Sequence, residues 1–133
     1  MNLGDAYENN VLDYLYGGAP PTPPAGVWLA LYTVAPTSAG GGTEVSGGSY
    51  ARVPIVNDGT QFTNPASGGT KDNAAAFTFP TASASWGTIV AYAFHDDATA
   101  DSIVTWGDVT GAPALGSGVT PQFLAGVITI TAS

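Results

Sequence analysis

The chain holds few residues able to do chemistry. It has no cysteine, a single histidine (His95), and two bases (Arg52 and Lys71) against ten acids. Thiol nucleophiles and thiolate metal sites are therefore excluded, and a base-activated serine would depend on His95 alone. No Gly-x-Ser-x-Gly elbow, phosphate-binding loop or dinucleotide fingerprint occurs. His95 closes an apolar run beside a turn, and a histidine at a strand end needs no catalytic role. Asp96, Asp97 and Asp101 form the densest set of oxygen ligands. Calcium takes about six to eight oxygens, but the spacing does not match a helix-loop-helix calcium loop and no glutamate closes it. Aspartate also favours turns, because its carboxylate bonds nearby backbone amides. The expectation is turn chemistry, with no metal and no cofactor. No two carboxylates stand out as a pair for glycoside hydrolysis. Trp28, Trp86 and Trp106 have rings suited to stacking on sugars, yet each lies in or beside an apolar strand, which places them in a core. The chain reads as non-enzymatic.

Composition narrows the class. The 133 residues fit one domain, and 44% of them are hydrophobic, enough to fill a core. Only 9% are charged, and the net charge is −8. Nucleic-acid binding needs clustered bases to displace counterions from phosphates, so two isolated bases exclude it. The same deficit argues against anionic lipid. The segment Met1 to Asp5 lacks the basic and apolar runs of a signal peptide, and no stretch reaches the roughly 20 apolar residues of a membrane span. The expected site of synthesis is a cytoplasm.

The elements that must position these residues follow from periodicity. Leu3, Tyr7, Val11 and Leu15 recur every four residues within residues 3–16, the only helical pattern in the chain. Asp5 and Glu8 lie early, where the helix dipole favours acids, and Gly17-Gly18 ends the pattern. The expectation is an N-terminal helix over 1–18 whose face of Leu3, Tyr7, Val11 and Leu15 docks on a partner. Residues 19–26 follow as a Pro-rich extended joint, since proline removes amide donors. From Val27 the period changes to two. Residues 27–133 predict one β domain with strands at 27–32, 50–56, 74–79, 87–94 and 102–109. A closing hairpin of 119–124 and 127–131 is expected to turn at Ala125-Gly126. Pro54 puts its strand at an edge or bulge. Residues 37–48 and 64–73 read as Gly-rich loops. The expected fold is mainly β, a two-sheet antiparallel sandwich of jelly-roll or immunoglobulin-like type with about eight strands and one short helix.

One ordered set of segments goes further. The helix AYENNVLDYLYGG and the strand VWLALYTVAP are followed by SYARVPI, by NPASGGTKDNAAAFTFPTASASWGTIVAYAFHDD and by FLAGVITI. This order resembles small tailed-bacteriophage virion proteins, both capsid decoration (cement) proteins and proteins labelled tail fibre or minor tail protein. The resemblance implies a homotrimer located on the virion, bound to the major capsid protein or to tail proteins. A decoration protein would clamp neighbouring capsid subunits, whereas a tail fibre would bind the host-cell surface. The chain carries no heptads or repeated β-units to give a fibre its length, which favours the decoration reading.

Overall fold

The computed structural model describes residues 2–64 and 66–131. Met1, at the start of the expected helical segment, Pro65, in the second Gly-rich loop, and Ala132–Ser133, at the end of the β domain, lie outside the described residues. The fold is mainly β with one short helix and antiparallel sheets.

The run from Val27 is apolar on both faces and forms the central strand β2 (Gly26–Val34). Strand β8 (Ala91–His95), buried at every residue, pairs with it. Strand β9 (Ile103–Asp108) pairs with β8, and the short β1 (Asn2–Leu3) with β9. On the opposite edge of β2 lie β3 (Thr43–Glu44) and β4 (Val53–Val56). Pro54 is tolerated because β4 pairs only with β2, so its other edge needs no donor.

Alternation along β2 separates two clusters. Leu29 and Leu31 face the main core with Ile55, Phe77, Phe79, Trp86, Ile89, Tyr92, Phe94 and Ile128. Ala30 and Tyr32 face the other way, with Ala91, Ala93 and Ile103. Burying a large apolar side chain stabilises by about 1.5–3 kcal/mol, so the first cluster dominates. Edge-to-face contacts order its rings, with Phe62 set against both Phe77 and Phe94 at 5.6 Å.

Three two-stranded ribbons and the segments adjoining them supply much of the rest of that core. They pair β5 (Thr70–Asp72) with β12 (Thr129–Thr131), β6 (Phe77–Thr78) with β11 (Gln122–Phe123), and β7 (Gly87–Thr88) with β10 (Ala114–Leu115). These ribbons correct several expectations. The C-terminal segments do not form a hairpin with each other; each pairs with an earlier strand, because Phe123 and Ile130 reach the core only beside Phe77 and Lys71. The loop 37–48 contains β3, and 64–73 contains β5. The expected strand 87–94 breaks between β7 and β8, where the Ile89 amide donates to Pro113 O. Among the described residues many of the strands are only two residues long.

Asn73 joins two ribbons from inside the core. It is 1% exposed. Its Nδ2 donates to Ala75 O and Leu124 O, each at 2.9 Å, and its Oδ1 accepts the Ile128 amide at 2.8 Å. Asn73→Ala would leave buried backbone groups unpaired, at about 1–3 kcal/mol for each group that water cannot reach. The expected outcome is a loss of about 2–4 kcal/mol in urea unfolding, with Asn73→Asp also strongly destabilising because it removes both donors. A change below about 0.5 kcal/mol, the scale of ordinary surface substitutions, would contradict this role.

Candidate functional site

The N-terminal arm is fixed to the sheet at its start. The Gly4 amide donates to Val104 O at 2.8 Å and the Asp5 amide to Ser38 O at 3.0 Å. Gly4 is buried so closely against β9 that a Cβ there would collide with the Ile103 carbonyl oxygen. Helix α1 (Asp5–Leu12) follows, then a wider π turn over Asp13–Gly17 that ends at Gly18, whose φ is 74°. No residue of either segment is buried.

The expected docking face is therefore divided. Leu3 lies outside the helix, in β1 opposite Thr105, because the backbone there completes the sheet edge. Tyr7 is half-buried, and its hydroxyl donates to Asp96 Oδ2 at 2.7 Å. Only Val11 and Leu15 remain exposed, joined by Leu12, Tyr14 and Tyr16, the last 85% exposed. Period-four spacing did not single out Leu12 and Tyr16, since exposure of the whole helix tip depends on what fails to pack against it. The Pro-rich joint returns to the sheet where Asn57 donates from Nδ2 to Pro24 O and from its amide to Ala25 O.

The turn 96–101 is the junction of the arm, the loops and the sheet. Asp97 Oδ1 accepts the amides of Thr99 and Ala100, each at 2.8 Å, which is turn chemistry. Asp96 holds Tyr7, and Asp101 Oδ2 accepts the Gly41 amide at 2.9 Å. Among the described residues no three His, Cys, Asp or Glu side chains are grouped so as to hold a metal ion. From the sheet side, Arg52 donates from Nη1 to Asp97 O and Ala100 O, and from Nε and Nη2 to the two oxygens of Glu44. Tyr50 OH donates to Glu44 Oε1 as well. Burial pushes the Glu44 carboxyl up, but the bonds from Arg52 and Tyr50 outweigh it and hold it below its usual value.

His95 lies beneath this turn and is fully buried. Its Nδ1 accepts the Ser102 amide at 3.1 Å, so the ring proton sits on Nε2 and is donated to Tyr32 OH at 2.8 Å. Burial, then the positive charge of Arg52, hold its pKa below the ordinary value. A proton on Nδ1 would face an amide N–H that can only donate. The ring is fully buried and both its nitrogens are bonded, to the Ser102 amide and the Tyr32 hydroxyl and not to a serine hydroxyl, so the arrangement suits a structural group.

The tryptophans diverge. Trp86 is in the main core, its Nε1 donating to Gly48 O at 2.8 Å. Trp106 packs against the smaller cluster. Trp28 is half-buried and forms a wall common to two clefts. The larger, about 520 Å³, lies towards Glu44, Ser46, Tyr50, Pro54 and Thr99. The smaller, about 310 Å³, lies towards Tyr7, Thr22, Pro24 and Asp96. Sequence reasoning missed the Arg52–Glu44 pair. The signal was present in Arg52 itself, the only arginine in an acidic chain, which must find an acid if it is buried.

The described residues form a mainly β structure with an exposed apolar arm and a buried histidine. The chain belongs to the family described as podophage GP4 fiber I protein gp80, whose pattern matches residues 2–131. It is thus a bacteriophage structural protein and a virion component, as the segment order implies. No curated protein matches it. No helix among the described residues is long and apolar enough to cross a membrane.

The buried network makes stability depend on pH. Because the folded pKa of His95 lies below 6.5, the unfolded chain binds more protons as the pH falls through that value. Stability is then fully present above about 6.5 and declines below it, by at most about 1.4 kcal/mol per pH unit for this one proton. Glu44 adds a second loss below its unfolded value of 4.5. Urea unfolding across pH 4–8 should show a plateau, then this decline. His95→Gln should remove the decline between about pH 5 and 6.5 and keep the acid limb. An unchanged profile in that variant would assign the decline to other groups.

Proposed function

We propose that this chain is a non-enzymatic component of the podophage fibre, assembled on the particle through its N-terminal arm and presenting its loops to the host-cell surface. The observation that carries this reading is the match of nearly the whole chain to a fibre family. Nothing in the geometry favours the capsid-decoration alternative, in which the chain clamps neighbouring major capsid subunits. The domain is best described as a two-layer sandwich, with the six-stranded sheet facing the three ribbons across the aromatic core. Its contacts in the particle are a homotrimer and tail proteins. The −8 charge of each copy means that trimer contacts must be apolar and hydrogen-bonded.

The arm is the element to test. Leu12, Leu15 and Tyr16 expose apolar surface that no other part of the chain covers, and such surface marks interaction sites. The triple change Leu12→Ser, Leu15→Ser and Tyr16→Ser touches no buried residue, so the unfolding free energy should move by only about 0.5 kcal/mol per site or less. Sedimentation should show that this variant is still a trimer, while purified particles made with it lack the chain. A monomeric wild type would overturn the trimer, and normal incorporation of the variant would overturn arm attachment. Gold-labelled antibody against the chain should mark fibres in electron micrographs; label over the capsid shell would restore the decoration reading.

A further inference from the structure

The geometry points to Trp28 and the clefts on its two sides as a binding site for an uncharged saccharide. This deepens the fibre reading by naming the class of surface ligand, although the site is argued from its own chemistry. Sugar recognition needs a flat apolar plane for the C–H face of the ring, with hydrogen-bond acceptors around it for the hydroxyls. Trp28 provides the plane. It is half-buried, fixed in β2 between Pro54 of β4 and His95 of β8, and one indole borders both openings. At about 520 and 310 Å³ the openings fall within the size range of small-molecule sites.

The acceptors lie on both sides of the ring. Glu44, its side chain 25% exposed, borders the larger cleft. A carboxylate has about four acceptor positions. Glu44 Oε1 takes bonds from Tyr50 OH and Arg52 Nε, whereas Oε2 takes only Arg52 Nη2, which leaves Oε2 open. In the smaller cleft Asp96 uses Oδ2 for Tyr7, and its other oxygen is open to a second hydroxyl. Ser46 and Thr99 add polar groups at the rim.

Charge selects within the class. The one cation bordering these clefts is Arg52, and it is closed to ligands. Its side chain is 5% exposed, and four of its five N–H groups are committed to Glu44, Asp97 O and Ala100 O. With carboxylates on either side of the indole and −8 on the chain, a uronate or phosphorylated sugar is repelled. A neutral sugar, whose hydroxyls donate to carboxylates, is accepted.

Binding can be read on the ¹⁵N-labelled full chain, which has three indole N–H groups. Maltotetraose and tetra-N-acetylchitotetraose serve as neutral probes and tetragalacturonate as the acidic one. At roughly 10 mM, at least one neutral probe should shift the indole resonance that disappears in Trp28→Phe, and leave those of Trp86 and Trp106 in place. Tetragalacturonate should not shift it. Ser46→Phe fills the larger cleft from an exposed position and should weaken binding at least ~10-fold, with the fold kept as judged by the other two indole signals. The proposal is overturned if neither neutral probe moves the Trp28 signal, if Ser46→Phe binds as well as the wild type, or if the acidic probe binds equally. Label on the capsid shell would overturn the fibre reading yet leave a positive titration standing. A negative titration with label on fibres would overturn only the saccharide site.

Discussion

Arg52 is the contact on which the face around the clefts depends. A guanidinium removed from water must have its N–H groups bonded, and here four such bonds run to Glu44, Asp97 O and Ala100 O. These partners come from β3 and from the turn between β8 and β9, elements far apart in the chain. Arg52 therefore ties the segment that carries β3 to the turn between β8 and β9. Glu44 is held charged by the same bonds, and the Tyr50 hydroxyl that reaches it also accepts the Leu31 amide of β2 at 3.0 Å. Loop, turn and sheet thus form a single hydrogen-bonded unit.

That unit explains how a chain with so little charge builds a defined surface. The main core lies on one side of β2, where large side chains pack and dispersion and burial do the stabilising. The other side is lined near its centre by alanines, which leave room for the segment after β2 to approach. Polar bonds finish that side: Tyr7 to Asp96, Gly41 to Asp101, Ser102 to His95. A face closed by hydrogen bonds leaves shallow clefts, and Trp28 lies among them.

The arm shows the opposite economy of contact. Its first residues are locked by strand pairing and by the tight approach of Gly4 to β9, and its last turns bury no residue. A helix of this length gains too little from its own backbone bonds to be stable alone. It is anchored at its N-terminal end and exposes an apolar tip.

The sequence by itself determined what local chemistry determines. Absence of cysteine removed thiol chemistry, and the change of period at Val27 separated helix from strand. Four-residue spacing placed a helix before Gly18, and Asp97 declared itself a turn residue because its bonds reach only two or three positions along the chain. The segment order carried the kinship to phage virion proteins. What the tertiary structure decided was every pairing between distant segments. Two-residue strands such as β6 and β11 have no period to read, and they exist only because a partner forty or more positions away presents its edge. Leu3 left the helix because a sheet edge was open to it. Likewise, of three tryptophans in similar apolar surroundings, only burial distinguished Trp86, closed in the core, from Trp28, left facing the clefts, since exposure depends on which residues arrive from elsewhere in the chain.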